Sequence, residues 1–288
     1  MQRIVIAGCG YIGNRIARLW REQGAEVTCL VRTPEKALDY QAQGFRASAA
    51  SFDDRDSISL PDMSGSILYY FVPPPGGGIS DTRARNFIEV LKNGLSPAKL
   101  IYMGATSVYS ESSGGIVTEE SPTEPLSAMG KRRLDAERVF QEYGRTAGVA
   151  TIILRVSGIY GPGRLPLTQV SQGQPLLREE ESGPSNRIHA DDLADICLAA
   201  AARGEAGDIF NVSDGHPSSM TSYFNACADL LGYPRQPQVS LEEARRVMSP
   251  LMLSYITESR IVDNASLLER LGIRLTYPSM REGLQNCA

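Results

Sequence analysis

Three glycines at positions 8, 10 and 13, in the run GCGYIG, have the spacing of a backbone turn that can approach an anion. The first permits a tight turn, the second brings main chain close to a charged group, and the third lets a helix pack against a strand. The amides that open the helix then face the negative charge, with Tyr11 and Ile12 in the same turn. Such a pattern has content only where a strand precedes it and a helix follows. Both conditions are met: RIVIA (Arg3–Ala7) is a short apolar run, and Ile12, Ile16, Leu19 and Trp20 recur at helical spacing behind it. The chemistry implied is the holding of a dinucleotide pyrophosphate.

The end of the next strand, EVTCLV (Glu26–Val31), bears on which dinucleotide. NAD sites usually place Asp or Glu there, accepting hydrogen bonds from the ribose hydroxyls. This chain has Arg32, in LVRTPEK, with no carboxylate before Glu35. A guanidinium suits a 2′-phosphate through bidentate, charge-assisted bonds, so NADP is expected in preference to NAD. A second loop, VPPPGGG (Val72–Gly78), closes the fourth strand, where ligands bind in open α/β sheets. Its prolines stiffen the loop and its glycines admit close approach, so Val72, Pro73 and Pro74 are expected along the cofactor.

Strands and helices alternate around these loops. Further strands are expected at Ser66–Val72, Lys99–Gly104 and Ala150–Val156, with helices from Thr33 to about Gln43, at Asp81–Leu95 and at Ser127–Tyr143. This alternation predicts an α/β, Rossmann-type, doubly wound parallel sheet. Residues 1–156 are expected to form the nucleotide-binding domain, with 189–213 returning to it through a helix (Asp191–Arg203) and a strand (Asp208–Val212). Residues 157–188 and 214–288, irregular and then helical near Thr221–Leu231, Leu241–Val247 and Ser266–Leu271, are expected to form a smaller substrate-binding lobe. His189 precedes an expected helix N-cap at Asp191, and its expected role is structural.

Composition narrows the classes further. The net charge of −4 and the scattered basic residues give no nucleic-acid stripe, and no apolar run approaches membrane-spanning length. Five dispersed cysteines and two distant histidines argue for reduced thiols and against a metal site. The N-terminus enters a strand directly, without a signal-peptide pattern, so a soluble cytoplasmic protein is expected.

With these residues assembled, the chain resembles the short-chain dehydrogenase/reductase superfamily, and within it the NAD(P)-dependent epimerase/dehydratase (extended) branch and its atypical relatives. GCGYIG resembles the glycine motif, IYMGATSVYS (Ile101–Ser110) the fifth strand with its serine loop, and LRVSGIYGPGR (Leu154–Arg164) the R-x-x-x-x-Y-G-P-G segment. RIHADDLADI, DIFNVSDG, NASLLERLGI and REGL resemble its later segments in order. The resemblance implies hydride chemistry on a nucleotide sugar or small carbonyl compound, and a homodimer paired through the helices at Asp81–Leu95 and Ser127–Tyr143.

It also implies a Y-x-x-x-K pair, and there the chain departs. Aligned on Leu134 and Glu137, Met129 stands at the tyrosine position and Arg133 at the lysine position. A rival register with Lys131 and Ser127 turns the side chains to roughly the opposite helix face and is set aside. The usual serine position holds Ala105, followed by Thr106 and Ser107. Methionine and alanine cannot exchange the reacting proton, and arginine holds ribose hydroxyls without relaying protons near neutrality. Two functions follow: an enzyme whose proton comes from Thr106, Ser107, Tyr109 or water, or a catalytically silent NADP(H)-binding sensor. Arg164 and Arg187, at the edges of the variable lobe, are candidates to grip an anionic substrate group.

Overall fold

The computed structural model describes residues 1–94, 96–249, 252–253, 256 and 258–287. Leu95, the expected end of one helix, and Pro250, Leu251, Ser254, Tyr255, Thr257 and Ala288 of the expected C-terminal lobe lie outside the described residues. Along the first half run β1 (Arg3–Ala7), α1 (Tyr11–Glu22), β2 (Glu26–Val31), α2 (Pro34–Ala42), β3 (Arg46–Ala49), β4 (Ile67–Tyr70), α3 (Thr82–Leu91), β5 (Lys99–Met103) and β6 (Ser113–Val117). Then come α4 (Ala128–Ala147), β7 (Ala150–Val156), β8 (Gly158–Tyr160), α5 (Leu167–Ser171), β9 (Leu176–Leu177), β10 (Pro184–Ser185) and β11 (Arg187–His189). The chain continues through α6 (Ala190–Arg203), β12 (Ile209–Val212), β13 (Ser218–Ser219), α7 (Met220–Leu231), β14 (Gln238–Val239) and α8 (Leu241–Val247). It closes with β15 (Ser259–Val262), α9 (Ala265–Leu271) and α10 (Met280–Gln285).

Local chemistry sets several of these boundaries. The side chains of Thr33, Asp81 and Ser127 accept the amides of Lys36, Ala84 and Gly130, each capping the helix that follows. Gly148, at φ +67°, ends α4 in the left-handed conformation that a glycine adopts without strain. Seven strands form one parallel sheet in the order β12-β7-β5-β4-β1-β2-β3. The chain winds outward from β1 to β3 and then in the other direction from β4, so β1 and β4 flank the reversal point. Ala7 is in register with Tyr70, which makes the glycine turn after β1 and the proline–glycine loop after β4 immediate neighbours. That crevice is where ligands bind in doubly wound sheets.

Two compact units divide the chain. The first comprises Met1–Val108, Glu124–Arg155 and Ala194–Phe210. One face of its sheet packs on α3 and α4 through an aromatic cluster, in which the Tyr70 ring centroid lies 4.9 Å from Phe87 and 4.7 Å from Phe140. The second comprises Tyr109–Thr123, Val156–Leu193 and Asn211–Ala288. Its small ladders pair β8 with β11, β6 with β15, β9 with β14 and β10 with β13 around an apolar cluster that includes Tyr160, Leu176, Tyr223, Phe224 and Leu284.

Two features depart from expectation. Residues 109–123 fall in the second unit, because Ser113–Val117 pairs with Ser259–Val262, a partner far away in sequence. Asp191 is not an N-cap. The helix begins at Ala190, and the ring Nδ1 of His189 accepts the Asp191 amide at 3.2 Å, doing the work expected of the aspartate.

Candidate functional site

The glycine turn has little room except where a ligand would need it. A Cβ on Gly8, at φ +86°, would stand 2.8 Å from the Val72 nitrogen, so the β4 loop crosses directly over it. A Cβ on Gly13 would meet Ile6 Cγ2 at 3.1 Å and the Gly8 carbonyl at 3.2 Å. Gly10 is exposed, and its nearest neighbour would be 3.9 Å away. No side chain caps α1, whose N-cap is Gly10 itself. A turn packed tightly behind and open in front, with a helix start lacking a side-chain cap, fits a pyrophosphate.

The turn is backed from within. Gly8 and Cys9 donate to the Leu30 carbonyl at 3.0 and 3.1 Å, and the Tyr40 hydroxyl donates to the Cys9 carbonyl at 2.8 Å. Cys9 and Cys29 are buried with their sulfurs 3.2 Å apart. The thiol of Cys29 is pushed far up by Cys9 and by burial, so it stays protonated. Tyr11 borders the turn with its ring beneath the Arg15 guanidinium, 4.1 Å from the ring centroid.

Arg32 ends β2 as the sequence places it, with 73% of its side chain exposed. A carboxylate does reach it, though from a different loop: Asp53 Oδ2 lies 3.5 Å from Arg32 Nη2. Asp53 is held more closely by Arg83, whose Nε donates to Oδ1 at 2.6 Å and whose Nη1 donates to the Pro73 carbonyl at 3.1 Å. This bond from Arg83 is the main cause holding the Asp53 carboxyl below its usual range. At its far end the loop is held by Arg132, whose Nη1 donates to the carbonyls of Gly77 and Gly78 at 3.3 and 2.8 Å. Both glycines have positive φ, which lets consecutive carbonyls converge on one nitrogen.

The positions expected to form the proton path lie on α4 and on the loop after β5. Met129 is exposed in the first turn of α4, and Arg133 folds back so that its Nη1 donates to the Met103 carbonyl at 3.3 Å. Lys131 is exposed, whereas Arg133 turns toward β5. Ala105 and Thr106 are half-buried in the loop after β5, and the Ser107 hydroxyl is buried without a hydrogen-bond partner among the described residues. Tyr109 is fully buried, its hydroxyl donating to Asn211 Oδ1 at 2.5 Å. Tyr102 lies beneath Arg133, its phenol pushed up to about 12 by burial against the opposing pull of the guanidinium. In the first unit, then, the structure brings Val72 onto the glycine turn, links Pro73 to Arg32 through Arg83 and Asp53, and ties α4 to the β4 loop through Arg132 and to β5 through Arg133.

In the second unit Arg164 is exposed in the Tyr160–Gly163 turn region, with its amide bonded to Gly161. Arg187 is buried, a setting different from the surface one open to it in sequence. Its Nη1 donates to Ser218 Oγ at 2.8 Å and its guanidinium carbon lies 4.1 Å from the Tyr223 ring centroid. Burial lowers its pKa. His189 is also buried, with its ring 4.0 Å from that of Tyr277 and 5.3 Å from that of Tyr160. Among the described residues no group of three or more His, Cys, Asp and Glu could hold a metal ion, and no helix is long and apolar enough to cross a membrane.

A parallel seven-stranded sheet with a glycine turn at its reversal point defines a Rossmann-type α/β protein. Residues 83–213 match the NAD dependent epimerase/dehydratase family. Protein YeeZ of Escherichia coli strain K12 is 23% identical over 291 residues, covering 96% of this chain and 97% of that protein. A functionally unknown conserved protein from Silicibacter pomeroyi superposes with a TM-score of 0.83 at 27% identity, over 99% of this chain and 97% of that one. MoeE5, solved in complex with UDP-glucose and NAD, gives a TM-score of 0.74 at 19% identity, over 99% and 97%. Over residues 83–213, then, the chain is similar to the NAD dependent epimerase/dehydratase family.

Proposed function

We propose that this chain binds NADP(H) in the Gly8–Gly13 turn and reduces a carbonyl group on a small compound or nucleotide sugar, with a proton that does not come from the family's phenol. The observation that carries the reading is the glycine turn, closed behind Gly8 and Gly13 and open at Gly10. A nicotinamide bound there would supply the hydride. Gly8, Gly10 and the α1 amides would hold the pyrophosphate, Arg32 the 2′-phosphate, Arg133 the ribose hydroxyls, and Val72, Pro73 and Pro74 the face beneath the β4 loop.

Chemistry favours reduction over epimerisation in this site. An epimerase must take a proton from a hydroxyl and return it, which calls for a tuned base where Met129 now stands. A reductase needs only that a proton reach the new alkoxide, which Thr106 or water can deliver. Loss of a positioned acid costs about 10²–10⁴ in rate, and the advantage of holding the reactants together remains. The UDP-glucose complex of MoeE5 supports the nucleotide-sugar class. Arg164 and Arg187 would meet an anionic substrate group. Five free thiols agree with a reducing, cytoplasmic setting, and pairing of two copies through α3 and α4 is proposed from the family resemblance. The test is loss of 340 nm absorbance when NADPH-loaded protein meets a panel of carbonyl compounds and nucleotide sugars, with Arg32→Ala as the control.

The buried hydroxyls of Ser107 and Tyr109 favour a second reading, a catalytically silent NADP(H)-binding sensor. Tight NADPH binding with no turnover across the panel would select it.

A further inference from the structure

We propose that Asp53 and Arg83 set the coenzyme preference of the glycine turn, Arg83 engaging the Asp53 carboxylate so that Arg32 stays available to a 2′-phosphate. The inference rests on the NADP reading above and deepens it. A carboxylate at the end of β2 is what NAD sites use to accept ribose hydroxyls, and beside a phosphate it repels. Here the carboxylate is present in space though absent from the β2 sequence, because the chain returns past β3 to Asp53. Its two oxygens are held unequally: Oδ1 takes the Arg83 Nε at 2.6 Å, and Oδ2 accepts the Ser51 hydroxyl at 3.3 Å and only grazes Arg32 Nη2 at 3.5 Å. The Arg83 side chain is 15% exposed and anchored to Pro73, whereas Arg32 is 73% exposed. The anchored guanidinium satisfies the carboxylate, and the exposed one faces solvent.

Charge makes the claim quantitative. Arg32, Arg83 and Asp53 together carry one net positive charge. Asp53→Asn raises that to two, and Arg83→Met lowers it to zero while releasing Asp53 toward Arg32 or a ribose. Both coenzymes share the pyrophosphate and the β4 loop, so the ratio of their affinities isolates the 2′ position from any loosening of Pro73. Partly exposed charges a few ångströms apart interact strongly enough for about a tenfold change in that ratio at low salt.

The experiment is calorimetric titration of the full chain with NADP⁺ and with NAD⁺, for wild type, D53N, R83M and R32A. The expected result is a wild-type preference for NADP⁺ that rises about tenfold in D53N, falls at least as far in R83M, and is lost in R32A. Asp53 is 42% exposed, so D53N carries the test should R83M fail to fold. A wild type that prefers NADP⁺, with a ratio unchanged in D53N and in any folded R83M, overturns the inference and leaves the NADP reading standing. A wild type that binds neither coenzyme, or binds NAD⁺ at least as tightly, overturns both.

Discussion

A methyl group on Gly130 would stand 2.3 Å from the carbonyl oxygen of Ser107 and 2.6 Å from Cβ of Pro125. The first turn of α4, which presents Met129 one turn before Arg133, is thus seated on the backbone of the turn after β5. Alanine would gain about 1 kcal/mol of helix propensity over glycine. Overpacking costs about 1–3 kcal/mol, and here the obstacle is backbone and a proline ring, neither of which can rotate away. Gly130→Ala is therefore expected to lower the urea midpoint, through a net loss of up to about 2 kcal/mol, and to weaken coenzyme binding as α4 shifts. A midpoint equal to or above wild type would show slack at this seat.

Deeper in the same helix, Glu137 and Arg155 form a bidentate pair at 3.1 and 2.6 Å, with side chains 2% and 4% exposed. Such a pair contributes little net stability over an apolar substitute, yet breaking it is costly because one charge stays buried without its counter-charge. Glu137→Ala is expected to lose about 3–5 kcal/mol, and Glu137→Gln, which keeps shape and one acceptor, clearly less. Paired denaturation curves measure both. Equal losses would mean that packing, and not charge, fixes α4 to β7.

What a one-dimensional pattern conveys here depends on how local its cause is. β1 and β7 are predominantly apolar segments buried along nearly their whole length, and the strands expected from them match the sheet to the residue. β3 is RASA, an edge strand of exposed small and charged residues, and nothing in its composition marks it. β6 is SGGIV, whose glycines lower any strand signal; its order comes from β15, well over a hundred positions later. The candidate site divides the same way. Gly8, Gly10, Gly13 and Arg32 announce themselves by spacing. Asp53, Arg83 and Arg132 do not, because Asp53 reaches Arg32, Arg83 reaches Asp53 and Arg132 reaches Gly78 only across stretches of 21, 30 and 54 residues. Arg187 has a surface-like sequence context and a buried position, which only the packing of α7 decides.

Asp214 supplies a pH test of the second unit. Its Oδ1 accepts the His216 amide at 2.9 Å while Oδ2 is buried without a hydrogen-bond partner among the described residues. Burial pushes its pKa up to about 6 from 3.8, against the opposing His216 amide and the charges of His216 and Arg187. Between those values the native state binds more protons than the unfolded state, so stability falls as pH rises through the window. The full loss is about 3 kcal/mol at most, because each tenfold difference in proton affinity between the two states is worth about 1.4 kcal/mol. Asp214→Asn keeps the amide contact and removes the titration. It is expected to match wild type near pH 4 and to exceed it above about pH 7, by up to roughly 3 kcal/mol. Parallel stability curves against pH would overturn this assignment.

Installing a tyrosine–lysine pair on α4 tests the proton path that the reductase reading requires. Met129 is exposed in the first turn of α4, four residues before Arg133, so a phenol there would share the arginine's helix face. Arg133 now bonds to the Met103 carbonyl, and a lysine in its place could lower the pKa of a neighbouring phenol. If the reductase reading holds, M129Y/R133K with A105S should raise kcat on whichever substrate turns over, by about 10² or more. The pH profile should gain a limb belonging to the new acid. If wild type and variant are equally inert while both bind NADPH tightly, the acceptor side of the site is absent too, and the silent sensor is the surviving account.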